Sequence, residues 1–275
     1  MFFFEHVLMR LEKSDYRNNI ILKGGVLLSS IIGEDLRTTK DLDATLKSLP
    51  LNEETIRNMF NNILNIDIND NVTFEIESIK DIRSDDEYGG FRINVKGVFD
   101  KIRTNFFIEI TTGDIITPKE IKYKYNSIFE DKKINILAYN LETILAEKFN
   151  SIISRNIVNT RAKDFYDIYY LSRTFDFEGA KLQAAIFETL QRRGTPYDRD
   201  SFKRVVALAD DEDMQKRWKF FLKTIKDNTL EFPLVIEEIQ TFLEPVFDAI
   251  VNEDEWQEQW NFIMKWNKNE RSPKL

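Results

Sequence analysis

Residues 22–46 read Leu22-Lys23-Gly24-Gly25-Val26-Leu27-Leu28-Ser29-Ser30-Ile31-Ile32-Gly33, then Glu34-Asp35-Leu36-Arg37-Thr38-Thr39-Lys40, then Asp41-Leu42-Asp43-Ala44-Thr45-Leu46. An apolar run, Asn19 to Leu22, ends at a glycine pair, so a strand there would turn at once into the helix expected from Val26 to Ile32. Gly33 is the expected C-cap of that helix. Glycines between a strand and a helix N-terminus let backbone N–H groups approach a phosphate closely, and the helix end adds partial positive charge. A second strand is expected at Leu42–Leu46. Side chains alternate along a strand, so Asp41 and Asp43 share a face while Leu42 points to the core. Two carboxylates facing a phosphate cradle suit a hard divalent cation. Taken singly, a Gly-Gly is an ordinary turn and an Asp-x-Asp an ordinary surface pair; their succession at this spacing is what points to chemistry.

Further along, Asn52 is placed to cap a helix running to about Leu64, with Glu53 and Glu54 in its first turn. Val72–Ile79, Phe91–Phe99 and Arg103–Ile110 are β-branched and aromatic runs bounded by Asp and Gly, hence strands, with Ser84–Gly90 as an exposed turn. The last of these strands supplies a third acid. Glu109 lies in Phe106-Phe107-Ile108-Glu109-Ile110, where burial without a partner would cost several kcal/mol. It is either a solvent-facing strand end or a further ligand to a metal held with Asp41 and Asp43.

Composition narrows the chemistry. The 275 residues contain no cysteine and one histidine, His6. Disulfides, thiolate metal sites and a Cys nucleophile are excluded, and a His-based triad or zinc site would hang on one residue. Carboxylate, lysine and hydroxyl chemistry remains. With 42% hydrophobic residues the chain can bury a core. No apolar stretch approaches a membrane span. The start, MFFFEHVLMRLEK, lacks the pattern of a signal peptide and reads as a packed helix through Phe3, Val7, Leu8 and Leu11, so a cytoplasmic location is expected.

From about Asn140 the apolar period becomes helical: Leu141, Leu145 and Phe149, joined by Ile144 and Ile152, form one face, and Phe165, Ile168, Tyr169 and Leu171 another. Further helices are expected at 179–192, 198–210, 212–227 and 235–267, with Trp256, Trp260 and Phe262 at core spacing in the last. The expected division is therefore an α/β (α+β) domain with a mixed sheet, residues 1–137, followed by an all-α domain, residues 138–275. The net charge of -8 hides an uneven distribution: residues 191–226 carry ten basic and six acidic groups, residues 227–270 two and eleven. The basic strip is either a nucleic-acid footprint or an ordinary solvated face.

Together, Gly24-Gly25, Asp41/Asp43 and Glu109 resemble the nucleotidyltransferase superfold of the DNA polymerase β type. Gly25 stands where many members carry Ser, which removes a hydroxyl contact but keeps the backbone donors. Two further stretches, Leu145-Ala146-Glu147-Lys148-Phe149 and Arg161-Ala162-Lys163-Asp164-Phe165-Tyr166-Asp167-Ile168-Tyr169, extend the resemblance to the AbiEii-type toxins of abortive-infection (phage-defence) and type IV toxin–antitoxin systems, related to the MenT toxins. It spans roughly residues 18–175.

The resemblance implies a Mg2+-dependent enzyme, with two ions, that moves nucleotides from an NTP onto RNA, the tRNA 3′ end in some members, blocking translation and growth. It implies Asp41, Asp43 and Glu109 as metal ligands and catalytic acids, with Glu109 also a candidate base, Lys148 at the triphosphate, and Asp164 as an essential acid in the helical half, which would complete the active-site cleft. Lys23, Gly24, Gly25, Thr39, Lys148 and Lys163 are the implied nucleotide contacts, and Thr39 is also a candidate for modification. Arg161, Arg192, Arg193, Lys203 and Arg204 are candidate RNA contacts. A winged-helix antitoxin encoded nearby is the expected partner, with neither DNA nor membrane.

From spacing alone, Lys148 is also an ordinary snorkelling lysine, and Lys163 and Asp164 an ordinary first-turn pair. Asp167 lies one turn beyond Asp164 on the same face, and spacing does not choose between the two acids. The acceptor stays open as well: the fold also serves small-molecule and protein nucleotidylation, and a non-catalytic nucleotide- or partner-binding module is the remaining alternative.

Overall fold

The computed structural model describes residues 1–33, 39, 41–82, 89–155, 161–227 and 229–267. They divide into two compact units, one of residues 1–114 and 119–139, the other of residues 115–118 and 140–275. Among the described residues no helix is long and apolar enough to cross a membrane.

The first unit is built on a mixed seven-stranded sheet. Its strands are β1 (Ile20–Lys23), β2 (Asp41–Leu46), β3 (Val72–Ile82), β4 (Gly90–Phe99), β5 (Ile102–Thr111), β6 (Ile121–Asn126) and β7 (Lys133–Ala138), in the order β3-β4-β5-β2-β1-β7-β6. The β2–β5 and β1–β7 pairs are parallel and the others antiparallel. Helices α1 (Phe2–Lys13), α2 (Gly24–Ile32) and α3 (Glu53–Leu64) accompany the sheet. Asn52 caps α3 as expected, its side chain accepting from the Thr55 N–H at 2.9 Å. Gly33 closes α2 with φ +107°, a conformation that favours glycine. Strands β6 and β7 were not anticipated. The first alternates Lys with aromatic residues and the second is a six-residue run beside the expected domain boundary, so neither carries a long periodic signal. The expected turn at Ser84–Gly90 lies outside the described residues for Ser84–Tyr88.

Helix α1 lies on the face of the sheet opposite Asp41 and Asp43. Val7, Leu8 and Leu11 meet Leu22 and Leu42 there, and the Phe3 ring sits where a Cβ on Gly97 would come within 2.5 Å of it. Two buried polar clusters tie the helix down. Glu5, fully buried, accepts from the Ile128 N–H (2.9 Å), the Tyr125 hydroxyl (3.3 Å) and the Ser127 hydroxyl. Arg10 donates to both oxygens of Asp70 (2.7 and 2.9 Å) and to the Val72 carbonyl (2.7 Å), while His6 Nδ1 stands 2.7 Å from Asp70. Burial pushes the Asp70 carboxyl up, but hydrogen bonds from Arg10, the Val72 N–H and His6 outweigh it and hold the group down at about 2. The single histidine is thus part of a packed tie beneath the sheet.

The second unit is mainly helical: α4 (Leu141–Arg155), α5 (Ala162–Thr174), α6 (Gly179–Arg192), α7 (Ser201–Val206) running into a 3-10 turn at Ala207–Asp210, α8 (Glu212–Thr224) and α9 (Phe232–Asn252). Phe149, Phe202 and Phe247 cluster in its core, as do Phe165, Trp218 and Phe232. The helix expected over 235–267 ends instead at Asn252, where Glu253 turns left-handed (φ 59°). The remainder of that stretch is extended rather than helical, a correction to the expectation. Strands β9 (Gln259–Asn261) and β10 (Lys265–Asn267) form a hairpin that joins β8 (Phe177–Glu178) in a small antiparallel sheet. Trp260 faces Trp266 across the hairpin; its indole N–H donates to the Ser172 carbonyl at 2.7 Å, and that of Trp266 to the Phe242 carbonyl at 2.9 Å. Strands of three residues are too short to show a period of two, and tryptophans four residues apart imitate a helical face.

Candidate active site

The glycine pair sits where strand β1 becomes helix α2. Gly24 has φ +65°, and a Cβ there would lie 2.1 Å from Oδ2 of Asp43; a Cβ on Gly25 would lie 2.4 Å from Oγ1 of Thr39. The bare backbone is therefore what lets the turn lie against these two side chains. The Gly25 N–H points at Asp43 Oδ2 across 3.4 Å, and the Thr39 hydroxyl donates to the Asp41 carbonyl at 3.1 Å.

Register then lines up four charged side chains across four neighbouring strands. Lys23 on β1 is opposite Asp43 on β2, Asp43 is opposite Glu109 on β5, and Glu109 is opposite Arg92 on β4. In-register neighbours share a face, and Asp41, two residues before Asp43, joins them. Burial raises the Asp43 carboxyl above its ordinary value, and Glu109 and Asp41 raise it further, against the Gly25 N–H and Lys23. Such crowded negative charge is what a hard cation offsets, and the donors are all carboxylate oxygens, so the chemistry of this set fits Mg2+. The side chains are not gathered as a ligand cluster: among the described residues no three His, Cys, Asp or Glu groups are arranged to hold a metal ion. Glu109 is instead drawn to Arg92, whose Nε donates to Glu109 Oε1 at 2.8 Å while Nη2 donates to the same oxygen.

Lys23 is held elsewhere on this face. Its ammonium pairs with Asp114, almost fully buried, and donates to the Thr111 hydroxyl at 2.6 Å. Asp114 also accepts from Thr45 (2.6 Å) and Tyr139 (2.8 Å). Arg92 and the Asp114 network are absent from the sequence-derived site. Arg92 was within reach of sequence: the runs 91–99 and 103–110 flank Asp100-Lys101, and folding them as a two-residue hairpin sets Arg92 against Glu109.

In the helical unit, α4 carries Lys148 and α5 carries Asp164 and Asp167, three residues apart on one face. Lys148 Nζ donates to Asp164 Oδ1 at 2.6 Å and stands 3.0 Å from Asp167 Oδ2. Both carboxylates are buried, and Asp164 Oδ2 has no hydrogen-bond partner among the described residues. Lys148 thus joins both acids between which spacing could not choose. Lys163 and Arg161 are exposed at the start of α5. Arg193 is bound to Glu147 (3.0 and 3.1 Å), Lys203 to Asp200 (2.7 Å) and Arg204 to Asp198 (3.0 Å), while Arg192 is half-buried in the last turn of α6. Exposed pairs such as those of Lys203 and Arg204 exchange readily for a phosphate.

Residues 6–253 match the model of a family of known proteins, the nucleotidyl transferase AbiEii toxins of type IV toxin–antitoxin systems. The chain belongs to the AbiEii family. As an AbiEii protein it is a nucleotidyltransferase, and the family implies an NTP substrate and an antitoxin partner. The fold is similar to that of MenT4, a nucleotidyltransferase toxin of Mycobacterium tuberculosis, at 13% identity with 92% of each chain covered and a TM-score of 0.51. JHP933 of Helicobacter pylori is 14% identical, with 91% of this AbiEii chain and 94% of that one covered and a TM-score of 0.49. At these identities the likeness is one of fold. No curated protein matches the chain.

Proposed function

We propose that this AbiEii toxin transfers a nucleotide from an NTP to the 3′ end of tRNA in a Mg2+-dependent reaction, so blocking translation and growth. The observation that carries this reading is the cross-strand pair Asp43–Glu109, with Asp41 beside it, facing the Gly24–Gly25 turn. Asp41, Asp43 and Glu109 would hold the metal, as two ions, which when bound would stabilise charge on the attacking and leaving oxygens.

The chain's own groups do the rest. The terminal hydroxyl of the acceptor forms a bond to the α-phosphorus, the bond from that phosphorus to the bridging oxygen breaks, and pyrophosphate leaves. Glu109 takes the hydroxyl proton. The N–H groups at Gly24 and Gly25 and the Thr39 hydroxyl receive the triphosphate, and Lys23 joins them by exchanging its pair with Asp114; Lys163, on the helical unit, is a further cation for the nucleotide. Lys148, aimed by Asp164, neutralises the leaving pyrophosphate. Arg161, Arg192, Arg193, Lys203 and Arg204 meet the RNA backbone, with binding that weakens as salt rises. The setting is the cytoplasm, and the restraining partner is a winged-helix antitoxin. Modification of Thr39, whose side chain touches the glycine turn, would shut the cradle.

The test is transfer of each α-labelled NTP to total RNA with Mg2+, wild type beside Asp41→Ala. Label on tRNA with the wild type alone supports the proposal. Equal labelling by both proteins, or label on protein rather than RNA, overturns it.

A further inference from the structure

Arg92 lies outside every motif of the site, yet it makes the closest contact to Glu109. Its Nε and Nη2 both donate to one carboxylate oxygen, Oε1, and the guanidinium lies 5.3 Å from the centre of the Phe107 ring. Strand register puts the two residues directly opposite each other, so the pair is built into the β4–β5 hairpin. A guanidinium and a hard divalent cation seek the same thing, an anionic oxygen, and one oxygen cannot serve both fully. Arg92 is also nearly half exposed (46%), which makes its ion pair exchangeable rather than a fixed part of the core.

We propose that Arg92 is a built-in competitor for the metal: it holds Glu109 until a divalent cation displaces it, and the displaced guanidinium turns to the triphosphate. It is a positioning residue acting through Glu109. A metal arriving alone must displace a guanidinium with nothing to receive it. A metal arriving on a nucleotide brings phosphate oxygens that take Arg92 in bidentate fashion. The chain therefore loads metal and nucleotide together and binds free metal weakly. This inference rests on the carboxylate centre proposed above.

The experiment is calorimetric titration of the full chain with Mn2+, with and without a non-hydrolysable α,β-methylene nucleoside triphosphate, for wild type, Arg92→Met, Arg92→Lys and Asp41→Ala. Arg92→Met keeps the stem over Phe107 and removes the charge. It is expected to bind Mn2+ alone roughly three- to fivefold tighter than wild type, with the advantage lost or reversed when the analogue is present. Arg92→Lys is expected to fall between the two. Unchanged or weaker Mn2+ binding by Arg92→Met, with binding lost in Asp41→Ala, overturns the role of Arg92 and leaves the carboxylate centre standing. Equal binding by Asp41→Ala and wild type, or no binding by any of the proteins, overturns the centre and this inference with it.

Discussion

Asp43 and Glu109 are direct partners across two parallel strands, so the backbone itself holds two carboxylates on one face of the sheet. Both acids lie between buried apolar neighbours, and it is the alternation of those neighbours that fixes the face the acids share. The arrangement keeps like charges close in the folded state and relieves them in the unfolded one.

Removing one of those charges should therefore stabilise the protein while disabling it. The folded-state value of Asp43 is raised, so the folded chain holds a proton that the unfolded chain gives up. Stability falls as pH rises from the ordinary aspartate range through the raised value. Asp43→Asn is expected to raise the melting temperature at pH 7 by a few degrees, roughly 1 kcal/mol, and to abolish nucleotide transfer. At pH 3 the gain should vanish. A lower melting temperature for the variant at pH 7 would contradict the sign.

Gly24 accepts no side chain. Its φ of +65° and the 2.1 Å approach of a Cβ to Asp43 act together. Gly24→Ala is expected to cost about 1–3 kcal/mol of stability and most of the transferase rate. Gly25→Ala meets Thr39 Oγ1 and Cβ (2.4 and 2.6 Å) but, without the positive φ of Gly24, should cost less of both, which denaturant melts and transfer assays on the two variants would measure side by side.

Lys148 neutralises two buried carboxylates. Lys148→Met removes the cation the two acids share and is expected to cost about 3 kcal/mol at pH 7. Asp167→Asn, which removes one of the two acids, should be far milder in stability. Urea titrations of the two variants at pH 7 test this; equal costs would contradict the shared pairing.

Asp70 sets an acid limit for the first unit. Its carboxyl is held down at about 2, so its contribution is present above the ordinary aspartate range and is lost as pH falls toward 2. Asp70→Asn is expected to remove about 1–2 kcal/mol at pH 7 and to flatten the acid side of the stability profile. A profile unchanged between pH 5 and 2 would contradict it.

Much of the candidate site was legible because its residues announce themselves by chemistry. The glycine pair, Asp41 and Asp43, and the lone acid of an apolar strand can each be picked out without knowing what lies opposite. Arg92 does not announce itself by chemistry and is reached only by folding 91–110 as a hairpin, whereas the importance of Asp114 comes from Lys23, Thr45 and Tyr139, which no single window contains. The fold shows the same division. Helix α3 was delimited closely because Asn52 and its first-turn acids mark its start, whereas β6, β7 and the β9–β10 hairpin are too short for periodicity to declare. Even Lys148, named from its motif, left open which acid it meets, since Asp164 and Asp167 differ by one helical turn on one face.

Strand β1, which leads into the glycine turn, lies between β2 and β7. Its partner on one side follows within 25 residues; its partner on the other, Leu137 against Ile21, comes more than a hundred residues later. Glu5 likewise waits for the N–H of Ile128. During synthesis, then, the strand that leads into the glycine turn gains its second neighbour only after β7 has left the ribosome, and such long-range pairing is slow. A chain interrupted between residues 111 and 133 would carry the glycines and all three acids with strand β1 still unpaired on its β7 side. The glycine turn therefore hangs from a strand whose support is finished by a segment made more than a hundred residues later.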